Sequence, residues 1–481
     1  MLRISTLNRI AALSSVLAVG SVSVASAQVK PPEPGQLRPY AFPKIEQFTL
    51  ANGLKVIVVE KRTLPVIEGR ILIDAGSMRE PASKGGLASL TGRMLSEGTG
   101  DLSGAEIARR MESMGAQYQA AGAFNNSFAD VIALKNVFSD ALTLAARTVI
   151  APSFPENEFG RVKDQALAAY QQRRAQASGL ASDAFIRAAF DSTAPFSRPT
   201  AGTTATIAGL TRDDVVSWHR TMFAPSAATL LLVGDITLAE ARTVAQRAFG
   251  DWSASRAAMG AVANPVQKYS GTRVIIVDRP GSVQSSIMIG QAGFQATDPD
   301  YIQLLALNHV LGSGMSSRLM QNLREKHGYT YGINSGLDLR AGAGAYRVAS
   351  DVRTSATDSA LVQALGEYRR IVAEPVPAAE LQGAVNNLVS SFPSAMQTVQ
   401  ALTGRIQDLI TWGLPVDFYT TYRERLAGVT SDDVRKVATS RLTPDNLIVV
   451  VAGDASKIEA PIRARNFGQV EVWDANGNKL R

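Results

Sequence analysis

The 481-residue chain contains no cysteine, which excludes disulfide frameworks, iron–sulfur clusters and thiolate zinc sites. Histidine is nearly absent: only His219, His309 and His327 occur, and no two are four residues apart. The paired imidazoles on one helical face that commonly seat a catalytic zinc are therefore missing. Basic runs are lacking too. The formal charge is +7, with Arg3 and Arg9 in the N-terminal segment and the remaining Lys and Arg scattered. Charge of that size and spread reads as a solvated surface, not as a nucleic-acid-binding face. Past the first 27 residues no apolar run is long enough to span a bilayer.

At the N-terminus, Arg3 and Arg9 precede an apolar run from Ile10 to Val24, closed by Ala25-Ser26-Ala27. This is the pattern of a cleaved secretory signal over residues 1–27. A membrane anchor is the alternative, but the run falls short of the roughly 20 residues a spanning helix needs and is interrupted by serines. Export without disulfides is compatible with a bacterial periplasm. Residues 28–44, with Pro31, Pro32, Pro34 and Pro43, form an extended lead-in.

The rest of the chain maps onto itself. Gly209-Leu210-Thr211-Arg212-Asp213-Asp214-Val215, then Pro225 and Gly234-Asp235, recurs without a gap as Gly428-Val429-Thr430-Ser431-Asp432-Asp433-Val434, Pro444 and Gly453-Asp454. Upstream, Lys55 to Glu60 corresponds to Arg273 to Asp278, and Ala75-Gly76 to Ala292-Gly293. Two similar domains in tandem follow, over 45–252 and 268–481, joined by an Ala/Ser/Gly-rich surface linker at 253–267.

Local signals fill in the elements. Leu54 to Val59 and Ile67 to Asp74 read as strands, Leu87 to Leu95 as a helix, and Ser103 with Glu106 as a capping box. Gly115 to Leu134 reads as a hairpin turning at Gly122, Asn125 and Asn126. A long helix is predicted from Pro155 to about Ala177, with Glu156 and Glu158 at its positive end. In both repeats a Thr-x-x-Asp cap opens a helix, followed by a proline-marked turn and a buried strand. The order is that of an α+β fold.

Residues 86–99, Gly-Leu-Ala-Ser-Leu-Thr-Gly-Arg-Met-Leu-Ser-Glu-Gly-Thr, resemble the zinc-site helix of the insulinase or pitrilysin metallopeptidases, G-L-A-H-x-x-E-H-M followed by G-T. The two histidine positions are Ser89 and Arg93, and the glutamate position is Gly92. The family's third ligand, a glutamate on a later helix, falls at Ala169. All four degenerate positions lack a ligand side chain, so no metal and no cofactor is expected in this chain. Arg93 would place a cation where the metal sits, or be solvated or paired with a carboxylate.

The second repeat keeps another part of the pattern. Residues 311–319, Leu-Gly-Ser-Gly-Met-Ser-Ser-Arg-Leu, and 323–331, Leu-Arg-Glu-Lys-His-Gly-Tyr-Thr-Tyr, resemble the family's L-G-G-G-M-S-S-R-L and L-R-E-K-R-G-L-A-Y. The resemblance assigns Arg324 and Tyr331 to a pair that holds the bound peptide and stabilises the tetrahedral species formed at zinc. A guanidinium fork and a phenol donor suit that task; an arginine ending a helix and a tyrosine starting a strand is the alternative. Gly312-Ser313-Gly314 is a weak phosphate loop, without a third glycine or a Gly-Lys-Ser/Thr ending. Gly115 to Ala120 resembles the family's edge strand, placing Gln119 and Ala120 where a peptide is added. An ordinary hairpin fits equally.

The resemblance implies two α+β domains with largely antiparallel sheets forming half of a clamshell. It implies a zinc-free subunit of a periplasmic heterodimeric metallopeptidase, partnered by a zinc-motif-bearing homologous subunit and a peptide substrate, or a homodimer where no partner exists. The alternative is a structural or peptide-binding interaction protein without turnover. Likeness to the non-catalytic subunit of the mitochondrial processing peptidase is partial, because that subunit's long glycine-rich insertion is missing before Ser317.

Overall fold

The computed structural model describes residues 39–481; the expected signal segment and most of the lead-in lie outside them. In chain order the first repeat supplies β1 (Ile45–Thr49), β2 (Lys55–Glu60), β3 (Val66–Ile73), β4 (Gly98–Thr99), β5 (Leu102–Ser103), β6 (Gln117–Gly122), β7 (Ser127–Leu134) and β8 (Ala228–Gly234). The second supplies β9 (Arg273–Asp278), β10 (Gln284–Phe294), β11 (Thr330–Asp338), β12 (Gly344–Arg353), β13 (Ile448–Gly453) and β14 (Gln469–Trp473). Strands β4 and β5 form a small separate ladder.

Each repeat builds one six-stranded sheet, ordered β1-β2-β8-β3-β7-β6 and β14-β9-β13-β10-β12-β11. Position by position the orders are the same, with β1 from the start of the first repeat and β14 from the end of the second as the outer strand. Both sheets are mixed and mainly antiparallel; β2 pairs parallel to β8, and β9 parallel to β13 and β14. The parallel strands are buried on both faces, which is why KVIVVE, RVIIVD and IVVVAG carry continuous β-branched runs rather than alternation.

The helices also repeat. After each hairpin come helices Lys135–Ile150, Glu156–Arg174, Ala177–Ala189, Thr204–Ala208 and Arg212–Met222, matched in order by Thr357–Ala373, Ala378–Ser391, Val399–Trp412, Tyr422–Ala427 and Ser431–Arg441. Thr211 and Thr430 form full capping boxes with Asp214 and Asp433, as does Ser103 with Glu106. The third helix of each set crosses over. Ala177–Ala189 packs on β10 and β13 of the second sheet, and Val399–Trp412 packs on β3 and β8 of the first. Phe185, Leu180 and Ala184 form one apolar cluster with Ile275, Val277, Met288, Ile448 and Val450.

Two expectations need correction, and one strand is added. The long helix ends at Arg174, and a new one starts at Ala177. Gly179 lies so close to Arg173 O that a Cβ there would come within 3.0 Å, and the break at Ala175 lets the two helices approach. Residues 45–49 are a strand, paired with β2. The linker is more than a surface connection: Arg256 is almost fully buried on Asp74, at 3.0 Å, and Asn264 accepts from Phe196 N and donates to Ala343 O.

Candidate functional site

Strand β6 is the edge strand opposite β1 in the first sheet, hydrogen-bonded to β7 on one side. Gln119 and Ala120 stand on it opposite Asp130 and Ala129. Gln119 is exposed and donates through Nε2 to Asp130 at 3.3 Å; Ala120 is half-buried.

The helix Leu87–Met94 lies directly against this strand. Gly86, at φ 95°, leads into it, and the buried Glu80 carboxylate accepts from Gly86 N at 3.0 Å and Ala88 N at 2.5 Å, satisfying donors at the helix start. Burial pushes Glu80 up to about 7, against the lowering effect of those backbone donors. At the other end of the helix, Gly92 meets the backbone of Ala121 and Gly122, and Gly122 meets Ala88 and Ser89. A Cβ on either glycine would fall within 3.0 Å of backbone atoms. Gly92, aligned by the resemblance with the motif's glutamate, is thus where the helix seats closely on the strand.

Ser89 is half-buried; Arg93 is exposed and makes no ion pair among the described residues. Ala169 is exposed on Glu156–Arg174, a helix that packs beside Leu87–Met94. Ser89, Arg93 and Ala169 offer no imidazole or carboxylate. Among the described residues no group of three or more His, Asp or Glu side chains can hold a metal ion. The residues present do not fit zinc.

On the other face of the first sheet, Glu68 on β3 is fully buried, and Arg70 donates to it at 2.8 Å, to Asp130 at 3.2 Å and to Gln407 of the crossing helix at 2.8 Å. Burial, reinforced by the neighbouring Asp130 carboxylate, pushes Glu68 up to about 8 despite Arg70. Sequence reading missed this cluster and Glu80. The only signal for the former was charge at alternating positions inside a strand otherwise apolar.

In the second repeat, Arg324 lies on a π-helical segment, Met320–Lys326, and Tyr331 on the outer strand β11. The β11–β12 register shifts between Thr330 and Ile333, so Tyr331 sits in a bulge, a device that re-aims a side chain. Thr330 Oγ1 pins the bulge, accepting from Gly332 N at 3.0 Å. Tyr331 is 92% exposed, and the Arg324 guanidinium stands 5.5 Å from its ring centroid. Arg324 also approaches Glu325 at 3.4 Å and Met315 Sδ at 3.9 Å. Gly312 is a packing glycine: a Cβ there would strike Ser335 and Leu319. Arg318, from the same motif, is buried and grips Glu380 with two bonds of 2.8 Å.

Two family models match consecutive parts of the chain: the insulinase family, peptidase family M16, over residues 55–204, and the peptidase M16 inactive domain over residues 209–388. The crystal structure of a peptidase M16 inactive domain from Pseudomonas fluorescens superposes with a TM-score of 0.80 at 25% identity, covering 85% of this chain and 98% of that one. A protease from Helicobacter pylori gives 0.78 at 21% identity, covering 85% and 100%. Among curated relatives, an uncharacterized zinc protease of Streptomyces coelicolor is 24% identical over 407 residues, 82% of this chain and 86% of that protein. The non-peptidase homolog YmxG of Helicobacter pylori is 22% identical over 412 residues, 84% and 94%.

Proposed function

We infer that this chain, whose fold is that of the insulinase-like M16 peptidases with an inactive domain, is a non-catalytic peptide-binding protein. The observation that carries this reading is the contact of Gly92 with Gly122. It removes the room for a side chain at the position of Gly92, while β6 keeps its place as an outer strand of the sheet. Strand addition uses main-chain donors and acceptors, so it survives loss of the metal site. The relative from Helicobacter pylori, named a non-peptidase homolog, is in keeping with it.

Because the chain has no cysteine, Gln119→Cys gives a single labelling site on β6. An environment-sensitive fluorophore there should respond to an unfolded peptide. The response should weaken when alternate backbone amides of the peptide are N-methylated. Peptide binding that leaves the label silent would rule out β6.

A second reading is favoured by the exposed Arg324 and Tyr331: a zinc-free subunit in the periplasm, lending this pair to a peptide held by a zinc-motif-bearing homologous partner. Co-expression with such a partner should yield a complex that cleaves peptides, with Tyr331→Phe and Arg324→Ala each slowing it by about 10²-fold, the scale of losing one oxyanion donor. An unchanged rate would leave the first reading alone.

A further inference from the structure

A cavity of about 490 Å³ lies where the helices Glu156–Arg174 and Ala177–Ala189 meet the turn that follows β14. Leu180 and Ala184 from the first repeat and Val277 from the second give it apolar walls. Such a volume and lining are those of a small-molecule site, concave and mostly apolar with a few placed polar groups.

The polar groups are mainly two guanidiniums. Arg174 donates to the carbonyl of Ala475 and, at 2.9 Å, to Asn476 Oδ1. Arg187 donates to Asn476 O at 2.9 Å and Gly477 O at 3.3 Å. All four acceptors are neutral. Among the described residues neither arginine has a carboxylate within ion-pair distance, although the cavity-lining Asp183 carboxylate still attracts both through space. Asp183 pairs with Arg173 at 2.7 Å. Asp474 accepts from Asn476 N, Asn478 N and the Asn478 side chain, each at 2.8 Å. A guanidinium carries five N–H donors, so each arginine retains several uncommitted ones.

We propose that this cavity binds a small amphipathic carboxylate, its apolar body against Leu180, Ala184 and Val277 and its carboxylate on Arg174 and Arg187. A free fatty acid and the C-terminus of an apolar peptide share this chemistry. The site is independent of strand addition at β6. Because its floor comes from one repeat and its roof from the C-terminal turn of the other, occupancy ties the two together and raises thermal stability by mass action.

Calorimetry and thermal shift on the full chain test the idea with four probes: octanoate, N-acetyl-leucyl-leucine with a free carboxylate, and their neutral counterparts octanol and the C-amidated dipeptide. At least one carboxylate should bind about tenfold or more tightly than its neutral counterpart, the scale of a charge-assisted contact. Which of the two binds identifies the source. The double variant Arg174→Ala/Arg187→Ala should lose that preference. Those arginines also hold the turn, so a second variant is needed. Ala208 is exposed at the cavity's edge, and Ala208→Phe should fill the site and abolish binding without lowering the melting temperature. Neither carboxylate binding more tightly than its neutral counterpart, undiminished binding to a folded Ala208→Phe variant, or no carboxylate binding would each overturn the proposal.

Discussion

Gly92 faces the backbone of Gly122 so closely that a Cβ on Gly92 would lie within 3.0 Å of Gly122 N, while the missing Cβ of Gly122 leaves room for the backbone of Ala88 and Ser89 on the same helix. Here the helix that resembles a zinc-site helix is fixed to the edge strand by a contact that any Cβ would break. Overpacking of that kind costs about 1–3 kcal/mol, so Gly92→Ala should lower stability by that amount in denaturant titration. Rebuilding the motif with Ser89→His, Gly92→Glu and Arg93→His should therefore destabilise the protein, and elemental analysis should find no stoichiometric zinc. Stoichiometric zinc in a stable triple variant would show that the helix can shift.

Glu68 gives the first sheet a pH dependence. Its carboxyl is pushed from an ordinary 4.5 to about 8 by burial and by Asp130, so the folded state holds this proton more tightly than the unfolded chain. Stability from that proton is fully present below about 4.5 and is lost as pH rises through about 8; Glu80, pushed to about 7, adds a slope of the same sign. The melting temperature should fall between pH 5 and 8.5, roughly the window these shifts define. Glu68→Gln, which keeps the bond from Arg70 but cannot ionise, should flatten the decline. A decline unaltered in that variant would locate the dependence elsewhere.

Two arginines of one motif should behave oppositely. Arg318 is almost fully buried in a two-bonded pair with Glu380, and Arg318→Ala leaves that acid unpartnered, at a cost of about 3 kcal/mol. Arg324 lies over an exposed ring, and Arg324→Ala or Tyr331→Ala should change folding stability by no more than about 0.5 kcal/mol. Urea titration of the three variants separates a packing role from a surface one. A large loss in Tyr331→Ala would mark the pair as structural.

What could be read in the sequence was local or periodic. Ser103, Thr211 and Thr430 announced their helices because a capping box needs only four consecutive residues, and β2, β9 and β13 announced themselves by β-branched runs. The resemblance of residues 86–99 pointed to Ser89, Gly92 and Arg93 as positions without ligand side chains. That Gly92 is locked was not, since its partner Gly122 lies thirty residues away. Strand β1 was missed because short IEQFT has little pattern of its own and depends on pairing with β2. Arg256 and Asn264 were hidden in linker-like composition because their partners, Asp74 and Ala343, belong to different repeats.

The crossing helices make the two repeats interdependent for folding. Ala177–Ala189 belongs to the first repeat by sequence, yet Phe185 at its centre is fully buried in a cluster with strands of the second sheet. Val399–Trp412 returns the arrangement, with Leu402, Ile406 and Leu409 buried and Gln407 bonded to Arg70. Each repeat leaves one face of its sheet for the other's helix to cover, so thermal unfolding should appear as one transition, with calorimetric and van't Hoff enthalpies in agreement. Phe185→Ala removes a buried ring and should cost about 3–5 kcal/mol. It should lower that single transition as a whole, although the residue sits in the first repeat. A fragment of residues 45–252 would leave Phe185 and its neighbours without a sheet to pack on and should aggregate or remain poorly ordered. If the Phe185→Ala protein melts in two separate steps, with only the second repeat's step displaced, the repeats fold independently and the exchange of helices is a docking contact alone.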